Sequence, residues 1–208
     1  MENKERTGQE IKLDNLDRID KKENRISDFR QGIKQSVPIA VGYFSVSFTF
    51  GIMAAKIGMS PLTAGIISLT NVTSAGQFAG LSVIASGASM FEMFLTQFII
   101  NLRYALMSLS LSQKVSGKMT QLQRMLIAFA NTDEIFAVSV TYPGEVTAMY
   151  MAGLESLPVL CWTAGTVAGA VATDLLPAPV QSALGVALYG MFVAIVIPPA
   201  RKNWRIAA

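Results

Sequence analysis

Three ionisable residues stand near the middle of two largely apolar runs: Arg103, Asp133 and Glu134. Arg103 interrupts EMFLTQFIINLRYALMSLSLS (residues 92–112), and the carboxylates interrupt LQRMLIAFANTDEIFAVSVTY (residues 122–142). At about 1.5 Å of helical rise per residue, each run can cross a ~30 Å hydrocarbon core. A short turn, residues 113–121 with Lys114 and Lys118, joins them. Read as antiparallel membrane-crossing neighbours, they put Arg103 and Asp133 at a common depth, roughly 15 to 18 Å from the turn. A lone charge there costs about 2.5–3.5 kcal/mol. Pairing Arg103 with Asp133 or Glu134 would relieve most of that cost, and the sequence leaves the choice open. A simple tether between helices needs fewer polar groups than Asn101, Thr132 and two carboxylates. The expectation is a charge pair plus a second carboxylate able to carry a proton.

A second polar cluster, NVTSAGQF (residues 71–78), lies in the middle of the apolar stretch 61–90. An ordinary span has no use for Asn71, Thr73, Ser74 and Gln77 gathered around Gly76. Two half-helices whose free backbone groups face a polar cavity would account for them. The alternative is an unbroken helix with Gly76 and Gly80 as a small-residue packing seam. A broken helix could receive an amino acid. Its half-helix N-terminus suits a carboxylate, Gly76 admits close approach, and the Gln77 amide both donates and accepts. The candidate substrate-binding residues are therefore Asn71, Ser74, Gly76, Gln77 and Asn101, with Phe78, Phe98 and Phe136 as a candidate apolar wall.

The elements that must position these groups are membrane helices. Hydrophobic residues make up 51 % of the 208 and charged ones 15 %. Seventeen of the 31 charges fall in the first 34 residues, which leaves an apolar domain at 35–208. Residues 1–34 read as a charged, mostly disordered cytoplasmic tail. Ile26, Phe29 and Ile33 could form a short surface helix at its end. The tail's mixed charges and the full-length span that follows exclude a cleavable signal peptide. A net charge of +3 gives no basis for nucleic acid as a partner. One cysteine and no histidine exclude a disulfide framework and zinc chemistry, and no cofactor or metal is expected. No GxxxxGK loop and no nucleophile with a matched base argue for an enzyme.

The fold class is an all-α integral membrane protein, a polytopic bundle of about 5–6 segments with at least one broken or re-entrant helix. The first span, residues 37–57, opens at Pro38. Another long run, residues 146–173, carries Glu155, Pro158 and an i+4 stripe of Cys161, Gly165, Gly169 and Thr173. The last span is residues 180–197, followed by Arg201, Lys202 and Arg205. With the tail in the cytoplasm and every segment crossing once, Lys114 and Lys118 land outside, against the positive-inside rule. A re-entrant 61–90 segment cures that and displaces the terminal arginines, unless a later segment is re-entrant too.

The motifs resemble the AzlC family of branched-chain amino acid permeases. The resemblance rests on GIKQSVPIAVGYFSVSFTFGIMAAKIG (residues 32–58), SAGQF (residues 74–78), NLRYALMSLSLS (residues 101–112) and NTDEIFAV (residues 131–138). It implies export of branched-chain or similar apolar amino acids across a bacterial cytoplasmic (inner) membrane. It also implies a partner, a small AzlD-type hydrophobic subunit, besides the lipid bilayer and the amino acid substrate. Members of that family usually continue beyond the position of Arg205, so the chain reads as a short member or a truncated one. The residues alone favour a secondary transporter over a gated channel or a purely structural membrane subunit.

Overall fold

Helix ends are marked in this chain by hydroxyl residues, and they divide two of the apolar runs in half. A computed structural model describes residues 2–177, 179 and 180, with side chains described from residue 22 onward. It contains helices α1 (Glu2–Lys56), α2 (Pro61–Thr70), α3 (Ser74–Ala85), α4 (Met90–Ser112), α5 (Gln121–Phe129), α6 (Asp133–Thr141) and α7 (Ala148–Ala172), with a 3-10 turn at Thr173–Leu175. Ser60, Ser89, Thr120 and Thr147 cap α2, α4, α5 and α7 with their side-chain oxygens, Thr120 in a capping box with Gln123. Pro38 and Pro158 lie inside α1 and α7 and do not mark their starts.

Three of the described helical stretches are long and apolar enough to cross a membrane: Lys22–Lys56, Met90–Ser112 and Ala148–Leu175. The first and third run side by side and parallel. A Cβ on Gly32 would overlap the backbone of Tyr150 and Leu154, and one on Gly51 would overlap that of Thr166 and Ala170. From the other side, Gly165 and Gly169 lie against the backbone of Phe44 and Phe48. Two helices can come so close only where side chains are missing.

The parallel pairing extends into the stretch expected as a tail. Asp28 accepts a hydrogen bond from Thr147 (2.7 Å), Gln31 one from Tyr142 (3.3 Å), and Gln35 one from Tyr150. Residues 25–34 thus continue α1 and pack on the start of α7, where Gly153 admits the Phe29 backbone.

α2 and α3 form a hairpin that enters from the side of Lys56 and returns to it. Gln77 reaches Ser68 across the hairpin at 3.1 Å. In a straight passage those residues would stand about 13 Å apart. α2 descends α7 from Val167, opposite Gly65, to Thr166, opposite Ser68. α3 climbs back beside α4, with Gly76 against Gln97 and Gly80 against Met93. At 10 and 12 residues these half-helices reach about half the hydrocarbon depth.

The run at 122–142, expected to cross unbroken, does not cross. It breaks at residues 130–132 and turns back. α5 rises from the turn after α4, and α6 descends from Tyr43, at Thr132 and Glu134, to Gln31 and Tyr150, at Tyr142. On the entry side, Lys114 donates to the Val140 carbonyl and a backbone bridge joins Val115 to Val146. Two hairpins therefore enter from opposite sides, and α4 crosses once between them. With both re-entrant, Lys114, Lys118 and Arg124 share the side of Lys22, Arg25, Arg30 and Lys34, and Lys56 is the one basic residue at the opposite end among the described residues. The expected last span, apart from Val180, lies outside the described residues.

Candidate functional site

The tips of the hairpins, residues 71–73 and 130–132, meet at mid-depth beside α4. Each tip carries an asparagine and ends in a threonine N-cap: Asn71 with Thr73, Asn131 with Thr132. At the outer helix starts the capping hydroxyl satisfies the first turn. At both tips it does not. Thr73 donates instead to Asn101 Oδ1 (2.9 Å) and accepts from the Tyr104 hydroxyl (3.1 Å). Thr132 Oγ1 lies 2.5 Å from the Tyr43 hydroxyl, which itself donates to Glu134 Oε2 at 2.6 Å. The first amides of α3 and α6 are left without a side-chain cap at the end where the helix dipole is positive.

The two ends differ electrostatically. α6 begins with Asp133 and Glu134, whereas the first turn of α3 has no acidic residue. Of the two carboxylates left open by the sequence, Asp133 forms the ion pair with Arg103, and Glu134 is held by Tyr43. The depth argument places Asp133 correctly because α5 and the tip take up the twelve residues of ascent. Arg103 Nε is buried and has no partner among the described residues. The α6 end thus carries one ion-paired carboxylate and one held by a tyrosine, with an uncapped, charge-free helix end opposite.

A cavity of about 210 Å³ opens between the tips, lined by Thr70, Asn71, Val72, Thr73, Asn101, Tyr104, Ala128, Phe129 and Asn131. A narrower gap of about 10 Å³, room for roughly one water, separates Ser74 from Thr132, Asp133 and Glu134. The structure brings Asn71 and Asn101 to the larger cavity and Ser74 to the gap.

Gln77 and Gly76 are placed otherwise. Gln77 is 3 % exposed and fully engaged, donating to Ser68 and accepting from the Trp162 indole N–H at 2.7 Å. Ser68 in turn bonds Thr166 at 2.7 Å. Gln77 therefore clasps the α2–α3 hairpin to α7. Gly76 is covered by the Gln97 and Thr73 side chains, and its carbonyl accepts from Gln97 Nε2 at 2.8 Å. The three phenylalanines line neither space: Phe78 packs edge-on against Phe50, Phe98 stacks on Phe94 facing outward, and Phe136 joins the packing around Ile135 and Met151.

Several site residues escaped sequence reasoning. Gln97 and Tyr104 flank the expected Asn101 in a polar stripe at i, i+4 and i+7 on α4, a helical signal that was available. Asn131 repeats at its tip the place of Asn71, a correspondence visible only once 122–142 is known to break. Tyr43 lies in a span that reads as ordinary packing, and nothing local announces it.

The fold and site define a helical integral membrane protein built around paired re-entrant hairpins with a polar, charge-bearing centre. The family model described as AzlC protein matches residues 38–176, and the chain belongs to the AzlC family. It is similar to an uncharacterized membrane protein of Archaeoglobus fulgidus, 32 % identical over 172 residues, which cover 82 % of this chain and 75 % of that one. The inner membrane protein YgaZ of Escherichia coli K12 is 31 % identical over 177 residues, 81 % of this chain and 72 % of YgaZ. The branched-chain amino acid transport protein AzlC of Bacillus subtilis is 22 % identical over 146 residues, 69 % of this chain and 57 % of that protein. No solved structure matches.

Proposed function

We propose that this chain is a secondary transporter that exports branched-chain or similar apolar amino acids across a bacterial cytoplasmic membrane. The observation that carries the reading is the polar cavity where the two hairpin tips meet at mid-depth. Opposed half-helix ends at the bilayer centre are a setting for binding a zwitterion. A substrate in this cavity turns its carboxylate toward the uncapped start of α3 and its ammonium toward the acidic start of α6. The charge pattern supports a cytoplasmic location for the side that holds Lys114 and Lys118. Asp133 is matched by Arg103, Glu134 is held by Tyr43 outside that ion pair, and export runs as proton antiport with one of the two carboxylates as carrier. The name of the Bacillus relative supports the substrate class, and the family resemblance supports a small AzlD-type partner subunit.

The test is binding to purified protein of leucine, isoleucine and valine, compared with an alkyl amine that lacks the carboxylate. The amino acids are expected to bind at least tenfold more tightly. Equal affinity for the amine overturns the carboxylate site. In proteoliposomes, leucine efflux is expected to collapse when the pH gradient is removed. Counterflow that persists unchanged points to exchange without protons.

A further inference from the structure

Asn131 is 4 % exposed, and neither its amide nitrogen nor its amide oxygen has a partner among the described residues. A buried carboxamide left wholly unsatisfied is uncommon, and such groups mark places where something else completes the bonding. Asn131 lines the cavity between the tips, and it also lines a second one. The second cavity, of about 200 Å³, runs along α4 and α5 toward the basic side. Its walls are mostly apolar: Leu111, Val115, Met119 and Ile127, with Ser108 on the α4 side and Arg124 on the α5 side. Ala128 and Asn131 are common to both cavities, so the amide stands at their junction.

We propose that Asn131 is a substrate-binding residue at which an amino acid straddles the two cavities. Its head group lies between the hairpin tips, and its aliphatic side chain points along α4 and α5 toward the basic side. This rests on the transport reading and deepens it. The amide donates to the substrate carboxylate and accepts from its ammonium, which satisfies both atoms left open in the protein. The apolar cavity then selects for a branched aliphatic side chain, because each buried methylene adds about fourfold to affinity and a single methyl fills little of the space. The same cavity gives the substrate its way in from the basic side, beneath the α5–α6 hairpin.

The experiment measures binding of radiolabelled leucine and alanine to the purified full chain, wild type and two variants, with thermal melting as the check on folding. Wild type is expected to prefer leucine by tenfold or more. Asn131→Leu keeps the size of the residue and removes both polar atoms; it should weaken leucine and alanine alike, at least tenfold. Ser108→Phe fills the apolar cavity from the α4 wall, away from the tips. It should weaken leucine at least tenfold and alanine less than twofold. If wild type binds no amino acid, the transport reading itself falls. If wild type binds but Ser108→Phe leaves the leucine-to-alanine ratio unchanged, the straddling pose is overturned and the transport reading stands. A folded Asn131→Leu protein with unaltered affinities removes Asn131 from the site. Should Asn131→Leu fail to fold, the Ser108→Phe ratio decides alone.

Discussion

Deleting one member of the Arg103–Asp133 pair strands the other in a low-dielectric centre. Arg103→Gln should therefore lower stability by about 3 kcal/mol. The double change Arg103→Gln with Asp133→Asn should recover most of that loss in melts of detergent-solubilised protein, because no charge is then left alone. Gln77 makes a different prediction. Its amide closes the Trp162–Gln77–Ser68–Thr166 chain, so Gln77→Leu unpairs the indole N–H and should cost about 1–3 kcal/mol. Leucine affinity of the folded fraction should stay unchanged, which distinguishes a clasp from a ligand contact. The Arg103 pairing was legible because helical rise alone matched its depth to that of Asp133. Gln77, expected at the substrate, is engaged instead by Ser68 across the hairpin and by Trp162 of α7, long-range partners that local pattern does not reveal.

At the level of elements, the legible break was the polar one. NVTSAGQF advertises its interruption with four polar side chains, and α2 ends and α3 begins within that stretch. The second break hides inside FANTDE, where the carboxylates already had an explanation as charge partners. Helical periodicity runs through it, and only tertiary contact turns α6 back. The α1–α7 seam tests the packing of the long elements. A Cβ at Gly169 meets the Phe48 backbone, which has no rotamer by which to yield. Gly169→Ala should cost about 1–3 kcal/mol in the same melting assay, whereas Gly42→Ala, with open space at its Cβ, should be near neutral.

On the scale of the whole molecule, the topology can be read by labelling. In a Cys161→Ser background, Gly117→Cys and Glu145→Cys should react with a membrane-impermeant maleimide from one side of the membrane. Ala88→Cys should react from the other. Labelling of positions 117 and 145 from opposite sides would mean that α5 and α6 cross the bilayer as one span. The sequence left the number of crossings undecided because hydropathy counts apolar length and is silent on direction. A hairpin and a broken span contain the same residues.

Hairpins that stop halfway also set the order in which the protein can be assembled. A nine- or twelve-residue half-helix is too short to cross a bilayer, and its polar tip cannot rest in lipid. The α2–α3 hairpin is clasped by Trp162 and Thr166, and the α5–α6 hairpin packs on Met151 and Leu154. Those partners are synthesised later, across sequence separations of 85 and 98 residues for Gln77–Trp162 and Ser68–Thr166. The clasps that hold both hairpins at depth therefore close only once α7 has inserted beside α1. Chains arrested before α7 should hold α1 and α4 in the membrane while both tips remain open to protease.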